Sequence, residues 1–269
     1  MSFPGKQSGE EVHVLERINL EVEEGEFVCL VGPSGCGKST LLNIVGGFLK
    51  QTRGEAIVAS QPVTGPDPRR IFVFQENGVF PWLTVQENIG FGLLRRSVEE
   101  RMKTVAHYIE MVGLRGFERA YPRELSGGMR QRVEIARALA ANPEIIYMDE
   151  PFGALDFITR LKMRSDLTRI WQNEKKTILF VTHDIEEAVQ LADRVLVMSR
   201  RPATIQTVIP VHLPRPRDLD SDGYIETRDQ IFAAMGMSLR IGDSPPEASE
   251  SPDADADEVP GRLPLCERE

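Results

Sequence analysis

Short apolar runs alternate with longer helical patterns along most of the chain. Three of the runs are continuous rather than alternating, at 27–31, 145–148 and 177–181. Continuous runs of this length are typical of strands that are covered on both faces. The first run leads directly into a glycine-rich turn and then into a helical pattern at 38–44. The pattern therefore predicts an α/β fold, a mixed sheet flanked by helices.

The middle of the chain has a different pattern. From about 84 to 121 the sequence is mostly helical in periodicity and contains no comparable apolar run. We expect a helical subdomain at about 84–140, inserted into the α/β core, with residues 1–237 forming one domain.

The end of the chain differs in composition. Residues 242–269 are rich in Pro, Ser, Asp and Glu and carry roughly seven net negative charges, out of −9 in all. Large apolar residues are too few there to offset the entropy lost on folding. We predict a disordered acidic tail over 238–269 and a nearly neutral body.

Charge, hydropathy and cysteine use narrow the classes of function. A neutral to acidic chain argues against nucleic acid as the main partner. No stretch of about eighteen apolar residues occurs, and the N-terminus lacks the apolar run of a signal peptide. The cysteines, Cys29, Cys36 and Cys266, are odd in number and lack metal-ligand spacing, which suits a reducing compartment. We expect a cytoplasmic chain without membrane spans.

The turn after the first strand fits the pattern G-x-x-x-x-G-K-[ST] of phosphate-binding loops. Its glycines let backbone N–H groups approach phosphates, and the next helix offers its positive N-terminal end. Lys38 supplies a charge for the β- and γ-phosphate oxygens, and the Ser39 hydroxyl can ligate Mg²⁺. The residues predicted to bind ATP here are Gly32, Pro33, Ser34, Gly35, Cys36, Gly37, Lys38, Ser39 and Thr40.

Two adjacent carboxylates indicate what happens to the nucleotide. Asp149 and Glu150 follow the run at 145–148, and ligands of open α/β sheets bind at the carboxyl ends of strands. Asp149 is the predicted Mg²⁺ partner. Glu150 is placed to polarise an attacking water, which favours hydrolysis over transfer of phosphate to a substrate.

The segment 125–132, which reads LSGGMRQR, resembles the signature motif of the ATP-binding cassette (ABC) ATPases. With the phosphate loop and the acidic pair, the resemblance covers about 3–237 and implies a P-loop core with a helical insert. It also implies a head-to-tail pair of chains. Ser126, Gly127 and Gly128 would then hold the γ-phosphate of ATP bound to the other copy, by the anion-binding logic of a helix N-terminus.

Three further residues match the family in the expected order. Gln75 resembles the glutamine that touches Mg²⁺ and the attacking water, although alone it reads as a surface amide. Asp156 resembles the residue that carries signals between paired subunits, although alone it reads as a turn before a helix. His183 resembles the switch histidine that contacts the γ-phosphate and holds Glu150 in register; a lone histidine after a strand is more often structural.

The beginning of the chain departs from the family pattern. The family opens with a β-strand that leads to an aromatic residue stacked on adenine, and here that strand is expected to be missing. Phe3 is the candidate for stacking if residues 5–12 form a long hairpin loop. The alternative is a disordered Phe3, with the native start upstream.

The resemblance implies a transporter motor. Its partners would be a second copy, integral membrane permease subunits and, indirectly, an extracytoplasmic solute-binding protein, with the motor peripheral at the cytoplasmic face of the membrane. Phe80 and Trp82 either form an exposed patch for the permease or pack internally. The segments 74–82 and 150–156 resemble importers of nitrate, sulfonates and taurine, and 214–217 (PRPR) fits that group's C-terminal extension or a linker.

Two other classes remain open. One is a soluble ABC ATPase that acts in DNA repair or translation, which usually carries two cassettes or a long coiled-coil insert. The other is a module that binds ATP without turnover, which Glu150 and His183 disfavour.

Overall fold

Strands and helices alternate along the chain in the computed structural model, which describes residues 1–4, 11–74 and 78–237. Within these ranges the strands are β1 (Ser2–Pro4), β2 (Glu11–His13), β3 (Phe27–Val31), β4 (Ile57–Val58), β5 (Gln61–Pro62), β6 (Arg70–Val73), β7 (Ile145–Asp149), β8 (Thr177–Val181), β9 (Arg194–Met198) and β10 (Ile205–Pro210). The α-helices are α1 (Lys38–Gly46), α2 (Val85–Gly90), α3 (Val98–Met111), α4 (Gly127–Ala140), α5 (Phe157–Glu174), α6 (Ile185–Leu191) and α7 (Asp222–Ala234).

Six strands form the main sheet in the order β10-β9-β3-β8-β7-β6. Neighbouring strands are parallel except for β10, which runs antiparallel to β9. The sheet is therefore mixed, and the α/β prediction is confirmed. The carboxyl ends of β3, β7 and β8 meet at one edge, which places the segments that follow them side by side.

Each central strand is buried on both faces, which explains its continuous apolar run. On one face Leu30, Tyr147 and Leu179 pack against α1 through Leu42. The opposite face carries Cys29 and other strand residues that join a larger cluster with α4, α5 and α6. The sheet thus lies between two helical layers. Within the described residues, α1 is the one helix that contributes buried residues to the cluster on the first face.

Between β6 and β7 the described residues form helices, from α2 through α4, as the periodicity predicted. Thr84 and Ser97 cap α2 and α3 and exchange hydrogen bonds with Glu87 and Glu100, three residues on. The subdomain limits of about 84–140, like the boundary at 237, stay predictions. The predicted acidic tail, residues 238–269, lies outside the described residues.

The opening strand that the sequence led us to call missing is present. Ser2–Pro4 pairs antiparallel with Glu11–His13, with the backbone of Phe3 opposite Val12. At three residues the strand is too short to carry a hydrophobic pattern, so the sequence did not indicate it. The expected loop is correspondingly shorter, since Glu11 and Val12 belong to β2; the residues at 5–10 lie outside the described ranges.

The PRPR segment is docked on the core rather than serving as a free linker. Arg217 donates to the carbonyl oxygens of Ala192 and Val211, at 2.6 and 3.2 Å. Arg215 lies over the ring of Trp171 and pairs with Asp193 at 2.7 Å. In the part of the chain that the structure describes, no helix has the length and apolar character needed to cross a membrane.

Candidate nucleotide site

The phosphate loop joins β3 to α1 in the predicted strand–loop–helix order. Gly37, the N-cap of α1, has φ of 123°, and no side chain caps the helix. A Cβ there would lie 2.8 Å from Leu15, so both the backbone angle and the packing require glycine. The first N–H groups of α1 and its positive end therefore face the loop, ready for an anion.

Lys38 is almost fully buried, at 6% exposure. Its ammonium donates to the carbonyl oxygens of Gly32 and Pro33, at 2.8 and 3.1 Å. The Cys36 amide also donates to Pro33, which tightens the loop. An ammonium has three donors, so Lys38 is held in the loop with capacity left for phosphate oxygens. Ser34 and Gly35 form the exposed tip, and Ser39 and Thr40 open the helix.

Asp149 ends β7 at the same edge of the sheet. Burial raises its pKa, a hydrogen bond from the Ser39 hydroxyl and the charge of Lys38 act against that rise, and Glu150 adds to it. A carboxylate and a hydroxyl side by side are hard oxygen ligands. The pair therefore fits Mg²⁺, which is held in proteins by one or two carboxylates together with nucleotide phosphates.

Glu150 and His183 face each other across two adjacent strand ends. His183 Nδ1 lies 3.1 Å from Glu150 Oε2. Glu150 has φ of 47°, uncommon for a residue with a side chain, and its amide donates to the Val181 carbonyl oxygen at 2.9 Å. This backbone turn directs the carboxylate to the edge that carries Asp149, where a base for water would be needed.

The Ser126 turn begins α4. Ser126 caps the helix and accepts a hydrogen bond from the Met129 amide at 3.3 Å. A Cβ on Gly128 would lie 2.5 Å from the Thr159 methyl carbon, whereas one on Gly127 would make ordinary contact with Leu155. The turn thus packs on the beginning of α5 and leaves a helix N-terminus open to an anion.

Asp156 caps α5 directly beside that turn. Its carboxylate accepts from the Thr159 amide at 3.1 Å, and hydrogen bonds from Thr159 hold the pKa of Asp156 below its usual range. Because Thr159 also packs against Gly128, the Asp156 turn and the Ser126 turn form one continuous surface. The next two residues, Phe157 and Ile158, are exposed apolar side chains on it.

Comparison with known proteins places these motifs in one family. The model of the ABC transporter family matches residues 15–153. A putative ATP-binding protein of Brucella abortus is 52% identical over 205 residues, which cover 76% of this chain and 79% of that protein. The aliphatic sulfonates import ATP-binding protein SsuB of Bacillus cereus is 47% identical over 229 residues, or 84% of this chain and 90% of that protein. The chain belongs to the ABC transporter family.

Solved structures of ABC cassettes agree with this assignment. The dimeric structure of the bacterial cassette MJ0796 has a TM-score of 0.67 at 36% identity, and the match covers 78% of this chain and 96% of that one. The same cassette in a post-hydrolysis state bound to ADP and Pi gives a TM-score of 0.65 at 35% identity over the same shares. The protein is therefore an ABC transporter ATPase subunit that binds and hydrolyses ATP, and the predicted family, fold and activity are confirmed.

One predicted site residue of the ABC cassette, Gln75, lies outside the described residues. The residues that flank this gap are both bound by α4. Glu134 accepts from the Phe74 amide at 3.3 Å and from the Gly78 amide at 3.1 Å, and Arg137 donates to the Gly78 carbonyl oxygen at 2.7 Å. Glu134 is buried, which raises its pKa. The helix that begins at the Ser126 turn is thereby tied to the end of β6.

Sequence reasoning on the ABC cassette missed these buried charges. Glu134 and Arg137 lie on a helix whose apolar periodicity gave them no special weight. Asp184 and Glu187 were also overlooked, although Asp-x-x-Glu after a strand is a helix-capping pattern. Asp184 does cap α6, accepting from the Glu186 and Glu187 amides.

Proposed function

We propose that Glu150 is the general base of ATP hydrolysis and that His183 positions it. The observation that supports this assignment is the 3.1 Å contact between the two side chains, at the edge that also carries Asp149 and Lys38. Glu150 takes a proton from the attacking water. His183 keeps the carboxylate and the γ-phosphate in register, and more than half of its side chain is exposed.

The phosphate loop and its neighbours hold the nucleotide. Backbone N–H groups of 32–40 bind phosphate oxygens, and Lys38 offsets the negative charge. Ser39 and Asp149 would hold Mg²⁺, which would neutralise charge on the phosphates, and Gln75 is the third proposed contact. Phe3 is the proposed stacking partner of adenine, with its backbone held in β1.

The second half of each site comes from another copy. In a head-to-tail dimer the Ser126, Gly127 and Gly128 turn of one chain closes over ATP held by the phosphate loop of its partner, and Asp156 carries the contact between subunits. The helix N-terminus at Ser126 and the exposed Phe157 and Ile158 beside it support this arrangement, as does the dimeric structure of the MJ0796 cassette.

We further infer that the subunit energises import of a small solute of the nitrate, sulfonate or taurine type through a separate permease. The relative named as an aliphatic sulfonates import ATP-binding protein supports the solute class. The motor would lie at the cytoplasmic face of the membrane, and an extracytoplasmic protein would deliver the solute. Its hydrolysis cycle would switch the permease between inward-facing and outward-facing states.

An exposed apolar patch marks the proposed docking site of the permease. Trp82 is 69% exposed and Phe91 is 46% exposed. Phe80 packs beneath them, with its ring centre 5.6 Å from that of Trp82 and 4.5 Å from that of Phe91. The two alternatives that the sequence left open therefore apply to different residues. Phe80 is half-buried and packs internally, whereas Trp82 lies on the surface.

Uptake measurements test the transport proposal. In cells that lack this chain, uptake of labelled nitrate, taurine and an alkanesulfonate is compared after complementation with the parent or with Glu150→Gln. The parent alone should restore one of the three. Failure to restore any would refute the solute class. An ATPase rate stimulated by DNA or by ribosomes would point instead to a soluble ABC ATPase of repair or translation.

Copurification tests the docking site. The affinity-tagged chain should retain a permease in detergent. Trp82→Ala should release it while the isolated ATPase keeps its parental rate. Equal retention by the parent and the Trp82→Ala variant would move the docking site elsewhere.

A further inference from the structure

A buried cluster of charged side chains lies between α5 and α6, next to His183 but outside the nucleotide site. Arg164 of α5 is at its centre. Its guanidinium donates to Asp184, to Glu187 Oε1 at 3.3 Å and to Gln190 Oε1 at 3.3 Å. The side chains of Arg164 and Glu187 are only 6% and 4% exposed. Because charges this deeply buried must be paired, these contacts join the two helices to each other.

The same cluster fixes the backbone on both sides of His183. Thr182 Oγ1 donates to Glu187 Oε2 at 2.7 Å and accepts from the Asp184 amide at 3.0 Å. Asp184 is also the N-cap of α6. The histidine side chain is mostly exposed, so its direction follows from the backbone that Thr182 and Asp184 hold.

The other end of the cluster reaches the Asp156 turn. Arg160, one helical turn before Arg164, donates to the Leu155 carbonyl oxygen at 3.1 Å, and its other nitrogen lies 3.5 Å from Asp184 Oδ2. Leu155 immediately precedes Asp156. One guanidinium therefore bridges the Asp156 turn and the residue that follows His183.

We propose that Arg160 and Arg164 are positioning residues that make the orientation of His183 depend on the position of the Asp156 turn. This inference rests on the roles proposed above for His183 and Asp156. When a second copy packs on the turn, the displacement passes through Arg160 to Asp184, and Arg164 keeps α6 moving with α5. Hydrolysis is thereby tied to dimer formation by contacts within each chain.

The test removes the buried positive and negative charges together. The double variant Arg164→Met, Glu187→Gln leaves Asp184 paired with Arg160, and Gln keeps an acceptor for Thr182, so no buried charge is left uncompensated. We expect kcat to fall roughly tenfold to a hundredfold, as for a small displacement of a catalytic group. ATP affinity and the thermal midpoint should stay close to those of the parent.

A matched control lies at the opposite end of the strands. Arg194, at the beginning of β9, pairs with Glu26 in a partly buried contact, with side chains 25% and 14% exposed, far from the nucleotide edge. Arg194→Met, Glu26→Gln should keep the parental kcat. An equal loss of kcat in both double variants would mean a general effect of charge removal and would overturn the proposal.

A third variant separates this inference from the function on which it rests. A parental rate in His183→Ala would refute the catalytic assignment itself. If His183→Ala lowers kcat, adding Arg164→Met and Glu187→Gln to it should lower the residual rate no further, because the arginine acts through the histidine. The same fold loss in both backgrounds, or a parental kcat in the double variant, would refute the part assigned to Arg164. Arg160→Met removes the contacts with Leu155 and Asp184 and should lower kcat in the same way, and a parental kcat in that variant would refute the link to the Asp156 turn.

Discussion

Two helices of this cassette begin next to glycines, and the groups around their N-termini differ. The N-terminus of α1 carries Lys38 and lies beside Asp149, Glu150 and His183. The N-terminus of α4 carries Ser126, whose hydroxyl caps the helix by accepting a hydrogen bond from the Met129 amide. Both can bind an anion, but only the first has groups that can do chemistry. In the proposed dimer, a complete site combines both kinds of helix end from two chains.

The strongest way to break this comparison is to remove the base from the α1 side. Glu150→Gln should lower kcat by roughly a hundredfold to ten-thousandfold, the usual contribution of a general base, while ATP still binds. Phosphate release measures the first quantity and equilibrium dialysis the second. Lys38→Ala is the contrasting variant, since it should lose binding as well. Hydrolysis by Glu150→Gln at the parental rate would show that the base is another group.

A small substitution at the N-terminus of α4 should lower the turnover rate without weakening ATP binding. Gly127→Ala places a Cβ in ordinary contact with Leu155, so folding is preserved, but the methyl group narrows the anion surface. We expect kcat to fall about tenfold or more, as when one oxyanion donor is lost, with unchanged ATP affinity of the isolated chain. If Gly127→Ala also weakened ATP binding to the isolated chain, Gly127 would belong to the same half-site as Lys38.

Gly128→Ala controls for packing. Its Cβ would lie 2.5 Å from the Thr159 methyl carbon, so this variant should lose thermal stability. Adding Thr159→Ser removes that methyl group and should restore the midpoint. Failure to restore it would mean that another contact sets the requirement for glycine.

Mixing two impaired chains tests whether the two helix ends meet across a dimer. Lys38→Ala destroys one half-site and Gly127→Ala damages the other. In a mixed dimer one nucleotide site carries both defects and the second carries neither. The mixture should therefore hydrolyse ATP faster than the sum of the separate chains, with a rate that rises with protein concentration. Strict additivity at all concentrations would contradict the two-chain site.

The part of this site that could be predicted from the sequence is the part built from local patterns. The apolar run at 27–31, the glycines of the loop and the capping serine at 126 each report a strand end or a helix start within a few residues. The acidic pair followed equally directly from its strand. These features were predicted because their physical cause lies within the segment itself.

The rest depends on contacts between distant segments. Glu134 accepts a hydrogen bond from the Phe74 amide, 60 residues away along the chain. Arg164 lies 20 residues from Asp184. Nothing in the periodicity of α4 or α5 distinguishes these buried charges from solvated ones. The three-residue strand β1 was missed for a related reason, since its cause is the pairing with β2 rather than its own sequence.

The smallest expected effect is a pH dependence of stability that comes from Glu134, which joins α4 to the segment after β6. Burial raises its pKa in the folded chain, so as the pH falls from neutral the native state binds the proton before the unfolded state does. The contribution of Glu134 to stability therefore increases toward low pH and is lost as the pH rises through the folded pKa. Glu134→Gln abolishes this dependence.

As the pH is lowered from 7 to 5, the thermal midpoint of the parent should consequently rise relative to that of Glu134→Gln. In a chain of this size each kcal/mol corresponds to about 2–4 °C, so scanning calorimetry at both values resolves the trend. Glu110→Gln, which alters an exposed carboxylate on α3, serves as the matched control and should follow the parent. A constant difference would mean that Glu134 is ionised equally in both states. Glu134 would then carry a permanent buried charge. The hydrogen bonds from the Phe74 and Gly78 amides and the charge of Arg137 would fully offset the cost of burying that charge.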